Sequence, residues 1–291
     1  MKLHFASLKY KGIGFLSAAL AAIAATTGAA PAQPSAAPGM PLLFDAREHL
    51  PLPDLSAYPR LRFLTTTDFP PFSFADQNAR LAGFHIDLVR EICAVLALQA
   101  RCQIQAVPFD ELETDLSADQ AEAAVAAVAV TPERRERFGF SRPYMLLPAR
   151  FAAVKSAVKP GGTVPEPGWK VGLVKATVHE AMAKAWFPTM QSQSFDSQGD
   201  MLEALRQGTI DAVFSDALRL SFWVSGGASQ ECCVLAPGAF LSERFLGEGL
   251  AIMVKRQDRV LAAAFDHALA ELVVTGRLDD IYLRYFPLGL F

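Results

Sequence analysis

The chain has 291 residues, 52% of them hydrophobic and 20% charged, with a formal net charge of −3. The apolar content excludes disorder, which needs low hydrophobicity and high net charge, and a sequence pI of about 6.0 offers no global basic field for nucleic acid. The length allows one large domain or two lobes, each able to bury a core without metals.

Lys2, Lys9 and Lys11 precede an apolar run at 13–25, and Ala30-Pro31-Ala32 supplies a small-x-small ending. This is the pattern of a cleavable secretory signal peptide over 1–32. The apolar run is shorter than the roughly 20 residues a membrane span needs. Residues 33–59 are rich in Pro and Ala, lack a clear period, and read as a linker. The mature chain is expected to be soluble and exported.

From Leu61 the pattern changes. Residues 61–65 read as a strand, stopped by Asp68-Phe69-Pro70-Pro71. After Gly83, the residues Phe84, Ile86, Leu88, Val89, Ile92 and Val95 form one helical apolar face. Residues 102–107 alternate as a strand, and the small apolar run 121–130 reads as a buried one. Thr131-Pro132-Glu133 is a helix start: a capping hydroxyl, a proline in the first turn, and an acid near the positive helix end. A second series follows: strand 169–174, helix 177–186, strand 192–195, helix 201–206 ended by Gly208, strand 210–215, helix 217–224 and strand 250–254. The remainder is helical, broken at Thr275-Gly276. The alternation implies an α/β fold with mainly parallel pairing.

There are four cysteines: Cys93, Cys102, Cys232 and Cys233. An oxidising compartment permits a bridge from Cys93 on its helix to Cys102 on the next strand; two buried thiols are the alternative. No pairing is assigned to the adjacent Cys232 and Cys233.

Catalytic and cofactor motifs are missing. The chain has no Gly-x-x-x-x-Gly-Lys loop, no Gly-x-Gly-x-x-Gly after a strand and no Gly-x-Ser-x-Gly elbow. Its five histidines show no metal-ligand spacing, so no metal and no cofactor are expected. Polar residues instead stand at strand ends, where open α/β sheets bind ligands: Asp68 and Phe69, residues 131–134, residues 175–178, and Ser215-Asp216. Arginine and helix-end N–H groups suit a carboxylate and an Asp suits an ammonium, so the set matches a zwitterion.

Five segments in order carry a resemblance: LRFLTTTDFPPFSF at 61–74, LAGFHIDLVREIC at 81–93, TPERRERFGFSRPY at 131–144, DAVFSD at 211–216 and TGRLDDIYLRYF at 275–286. Together they resemble the bacterial extracellular solute-binding proteins of family 3, the periplasmic polar amino-acid-binding proteins of ABC transporters. The resemblance implies the type II periplasmic-binding fold, two α/β lobes joined by two hinge strands. It places lobe 1 at 60–153 plus 248–291 and lobe 2 at 154–247. It also implies the Cys93–Cys102 disulfide, a periplasmic location, a monomer, and two partners, the membrane permease and its ATPase subunit.

Residue by residue, Arg134 matches the family's carboxylate clamp, Asp216 its ammonium acceptor, Thr177 and the Val178 N–H its second carboxylate site, and Phe69 and Phe109 its aromatic sandwich. Lys175 points either into the cleft or into solvent. Ala126, Ala127 and Ala129 depart from the pattern: many members carry hydroxyls there, so only backbone groups at Ala127 and Ala129 are left to bind. Thr66 stands where some binders of basic amino acids carry Asp, which disfavours Arg and Lys as ligands. Two rivals share the fold: an exported cyclohexadienyl (arogenate or prephenate) dehydratase, with Glu180 or Glu248 as general acid, and a ligand-sensing module for a receptor.

Overall fold

The computed structural model describes residues 43–45, 47–128, 130–287 and 289–291. The expected signal peptide, the first part of the linker and Ala129 lie outside the described residues. The chain first forms β1 (Leu61–Thr65), β2 (Asp68–Phe69), β3 (Ser73–Ala75), β4 (Leu81–Ala82), α1 (Phe84–Val95), β5 (Cys102–Ala106), α2 (Leu112–Ser117), β6 (Ala123–Ala124), α3 (Pro132–Arg137) and β7 (Phe138–Phe140). It continues through β8 (Ala149–Val154), β9 (Lys170–Val174), α4 (Val178–Trp186), β10 (Gln191–Phe195), α5 (Gln198–Arg206), β11 (Ala212–Asp216), α6 (Ala217–Ser225) and β12 (Cys233–Leu235). It ends with α7 (Glu243–Leu246), β13 (Met253–Lys255), α8 (Arg259–Val274) and α9 (Arg277–Tyr285).

These strands build two larger sheets, ordered β5-β1-β6-β13-β7 and β10-β9-β11-β8-β12, and a small one, β2-β3-β4. Both larger sheets are mixed, which corrects the expectation of mainly parallel pairing. β1 runs parallel to β5 and β6, and β9 parallel to β10 and β11. β13 is antiparallel to β6 and β7, and β8 antiparallel to β11 and β12. The antiparallel members are the strands next to the two chain crossings. β8 escapes the sequence reading because Arg150 interrupts its apolar run. The guanidinium is buried and donates to the Ala236 carbonyl at 3.0 Å.

Two separate cores follow. α1, α8 and α9 cover the first sheet with Phe63, Ile92, Phe265, Leu269 and Ile281; Phe151, Leu173 and Phe214 centre the second. Each such side chain contributes about 1.5–3 kcal/mol on full burial. The expected strand over 121–130 shrinks to Ala123–Ala124. Ala127 turns left-handed with φ of 52°, which ends extended pairing, and Val125 is still tied to β1 through Leu64 and Thr65. The glycine before α1 has a steric cause. Gly83 has φ of 124°, and a Cβ there would stand 2.4 Å from the Phe72 carbonyl oxygen.

The chain crosses between the sheets twice, and the two crossings lie side by side. Tyr144 N–H donates to Leu250 O and Leu250 N–H to Met145 O, both at 2.8 Å; further along, Ala149 and Phe240 exchange bonds of 2.9 Å. Gly249 has φ of 107°, and a Cβ would fall 2.7 Å from Met145 O, so a side chain would part the crossings. Two α/β units joined by two antiparallel crossings are the two-lobe, two-hinge architecture. The expected lobe boundary at 153/154 falls inside β8, whose whole length pairs in the second sheet.

Residues 43–59 contain no helix or strand among the described positions, yet they are packed. Phe44 and Leu55 are buried in the first core. Glu48 receives both terminal nitrogens of Arg142 at 2.5 and 2.7 Å. Cys93 and Cys102 form a disulfide with 6.4 Å between Cα atoms, closing the turn from α1 to β5. Cys232 and Cys233 are also joined to each other, a pairing the sequence reading left unassigned.

Candidate functional site

A cavity of about 1280 Å³ opens between the two lobes. On the first-lobe side it is lined by Asp68, Phe69, Pro70 and Pro71. On the other side the lining comes from the carboxyl ends of β9, β10 and β11 and the helix starts that follow them. These three strands are neighbours and run parallel, so their ends converge on one mouth, as open α/β sheets require. Phe69 projects from β2 with its ring stacked on the buried Phe72, centroids 5.0 Å apart.

Helix α4 points its amino end at the cavity. Thr177 caps it, accepting from the Glu180 N–H at 3.1 Å and donating to the Val174 carbonyl at 2.8 Å. The first N–H groups of a helix have no intrahelical partner, so those of Val178 and His179 are donors for an anion. Glu180 lies behind them, accepting from Lys184, Ser194 and the Ala176 N–H. These bonds hold its carboxyl down to about 2. His179 lines the cavity, and burial pushes its imidazole below the ordinary value; the Asp216 carboxylate opposes that shift and Arg219 adds to it.

Asp216 ends β11 and caps α6, accepting from the Arg219 N–H at 2.9 Å. One turn on, the Arg219 guanidinium reaches Gln198 Oε1 at 2.9 Å, on the first turn of α5. Asp196 pairs with Lys175 at 2.6 Å, which raises the lysine above its ordinary value.

The cavity therefore brings together four of the expected ligand residues: Phe69, Thr177, Val178 and Asp216. Lys175 stands at its edge, reaching the lining through Asp196. Arg134, Phe109 and Ala127 are not among the lining residues. The Arg134 Nε donates to Glu113 at 2.9 Å, Arg137 reaches the same carboxylate at 2.7 Å, and Glu113 is held below the usual carboxylate range. Phe109 is 49% exposed, on a turn before α2. Ala129 lies outside the described residues. The sequence reading missed His179, Asp196, Arg219 and Phe222 and gave Asp68 no ligand role. The strand-end rule applied to β10 would have reached Asp196, and helical spacing from Asp216 would have reached Arg219 and Phe222 at i+3 and i+6. Neither acid proposed for the dehydratase lines the cavity; Glu248 is paired with Arg135, its Oε1 accepting from Nε at 3.1 Å. Among the described residues no group of His, Cys, Asp or Glu could hold a metal ion.

The chain is 27% identical to ABC transporter arginine-binding protein 1 of Escherichia coli (strain K12) over 232 residues, 80% of this chain and 93% of that protein. It is 26% identical to the lysine/arginine/ornithine-binding periplasmic protein of the same strain over 236 residues, 79% and 89% of the two chains. In fold it matches the Lactococcus lactis GlnP substrate binding domain 2 in open conformation, with a TM-score of 0.68, 16% identity, and coverage of 81% and 99%. The L-cystine solute receptor of Neisseria gonorrhoeae gives a TM-score of 0.66 at 20% identity, with coverage of 78% and 92%. The family model for bacterial extracellular solute-binding proteins, family 3, spans residues 61–288, and the chain is a member of that family, with its type II two-lobe fold.

Proposed function

We propose that this solute-binding protein captures an amino acid between its lobes in the periplasm and delivers it to an ABC transporter, without chemistry on the ligand. The observation that carries the reading is the cavity's paired chemistry. Asp216 meets an ammonium, while the amino end of α4 and the Arg219 guanidinium meet a carboxylate. Phe69 forms a wall for the side chain. The names of the curated relatives support the same ligand class.

Lobe 1 comprises the first sheet with α1, α8 and α9, and lobe 2 the second sheet with α4, α5 and α6. The cavity exceeds the roughly 300–1,000 Å³ of usual ligand pockets, which fits a cleft that must close to desolvate a small solute. Arg134 and Phe109 of lobe 1 join the ligand on closure, Arg134 exchanging Glu113 for the ligand carboxylate. Glu180, ionised above about pH 2, has no proton to give as a general acid at neutral pH, which counts against the dehydratase reading. The protein acts as a monomer, exported by its signal peptide, with the permease and ATPase subunit as partners.

The test is a thermal-shift screen of the purified protein against amino acids. A ligand at 100 times its Kd raises stability by about 2.7 kcal/mol. Arg134→Ala and Asp216→Asn should each abolish or weaken that shift by several kcal/mol of binding energy, with the melting temperature of the empty protein little changed. Unaltered shifts in both variants would overturn the assigned roles.

A further inference from the structure

We infer that the Cys232–Cys233 bridge is a thiol-exchange site: a dithiol reductant opens it while Cys93–Cys102 stays closed, and its opening loosens the α6 wall of the cavity. Neither step depends on which solute the cavity holds. The two bridges differ in what they do for the fold. Cys93–Cys102 spans a helix-to-strand turn. Cys232 and Cys233 are neighbours in the chain, so joining them removes almost no freedom from the unfolded state. Covalent geometry holds neighbouring Cα atoms about 3.8 Å apart, closer than the roughly 4.4–6.8 Å at which a bridge relaxes, and that departure eases reduction.

The surroundings point the same way. Cys233 is buried, but Cys232 is partly exposed and follows an exposed loop that includes Gly227, Ala228, Gln230 and Glu231. Gln230 and Glu231 have φ of 49° and 57°, two successive non-glycine residues in the left-handed region. Such backbone is strained, and strain of this kind gathers at segments with two states. The exchange balances without a cofactor. One thiolate of the dithiol attacks the Cys232 sulfur, forming a mixed disulfide, while the Cys233 thiolate leaves and takes up a proton. The second thiol of the reductant gives up its proton and attacks the reductant's sulfur in the mixed disulfide. Cys232 then leaves as a thiol and the reductant becomes a disulfide.

The pair is built onto the end of α6. Cys233 shares a core with Leu220, and Trp223 and Val224 pack against it. The buried Ser229 hydroxyl donates to the Val224 carbonyl at 3.0 Å and accepts from the Glu231 N–H at 3.3 Å. It thereby ties the last turn of α6 to the residue before Cys232. On the other side, the Lys155 N–H donates to the Cys232 carbonyl at 3.1 Å, and Cys233 pairs with Val154 of β8. The bridge therefore locks a strained turn between the sheet and the helix that brings Leu218, Arg219 and Phe222 to the cavity.

The experiment is a redox titration of the purified full chain in mixtures of reduced and oxidised dithiothreitol, with iodoacetamide trapping and peptide mass spectrometry of both cysteine pairs. Cys232–Cys233 should be half-open at a reduced-to-oxidised ratio about tenfold or more below that for Cys93–Cys102. At a ratio that opens only the first, hydrogen exchange of the amides at 218–225 should speed up about threefold or more, with α8 unchanged. Cys232→Ser with Cys233→Ser should match the opened protein in α6 and ignore the reductant; if this variant does not fold, the wild-type titration decides. Opening of Cys93–Cys102 at the same or a lower ratio overturns the exchange site, and an unchanged α6 overturns its hold on the cavity wall.

Discussion

His85 lies wholly buried in the first turn of α1, among the rings of Phe72, Phe84 and Tyr144, with its Nε2 2.8 Å from the Tyr144 hydroxyl. Burial holds its imidazole down to about 3. The folded chain therefore keeps it neutral while the unfolded chain protonates it near pH 6.5. Since the unfolded state binds the extra proton, the contribution is fully present above pH 6.5 and is lost as pH falls toward 3. From this residue alone, unfolding free energy should drop by about 2 kcal/mol between pH 7 and pH 5. Urea melts at both values check it, and His85→Gln should flatten the dependence; an equal slope in the variant would remove the assignment. Nothing in the sequence announced this residue. A polar side chain between Phe84 and Ile86 reads as an exposed position, and only the packing of α9 and the first crossing over that turn buries it. Asp216 was the opposite case, because a strand end followed by a helix start defines its place locally.

At the scale of elements, the bridge between α1 and β5 is a tether across a short turn. For nine residues of separation, restriction of the unfolded chain corresponds to about 2–3 kcal/mol. Cys93→Ala with Cys102→Ala should lose that much in chemical denaturation, plus the packing of the buried Cys93. A loss under about 0.5 kcal/mol, the range of ordinary surface changes, would show that the turn holds without it. The adjacent pair Cys232–Cys233 closes no loop of this kind. Elements with local signals were legible: α1 from its apolar period, α4 from its start at Thr177, the stop of α5 at Gly208, and the break between α8 and α9 at Gly276. Strands whose only reason is a partner were not. β7 and β12 are three residues each; such lengths carry no period to read.

At the scale of the whole molecule, among the described residues the chain passes between the lobes at two crossings, which are held to each other by backbone bonds. Rotation about such a pair moves the lobes as bodies, the hinge mode of closure around a ligand. Adding a saturating ligand identified by the thermal screen should lower the radius of gyration in solution scattering. Arg134→Ala should stay at the empty value at the same ligand concentration, and a wild-type radius unchanged by ligand would exclude closure. The sequence by itself determined the placement of Phe69, Thr177 and Asp216 at strand ends, while the family, the two-lobe plan and the Cys93–Cys102 bridge came through the resemblance carried by five ordered segments. The strand-end placements rest on local patterns, a strand stop or a cap, that survive without knowing what packs against them. The tertiary structure alone decided the mixed pairing, the membership of β8, the docking of residues 43–59, and the joining of Asp68, His179 and Arg219 in one cavity. These depend on contacts between residues far apart in the chain, which no local period encodes. The charge balance of the cavity is of that second kind, since a carboxylate counts toward a ligand only once its neighbours are known.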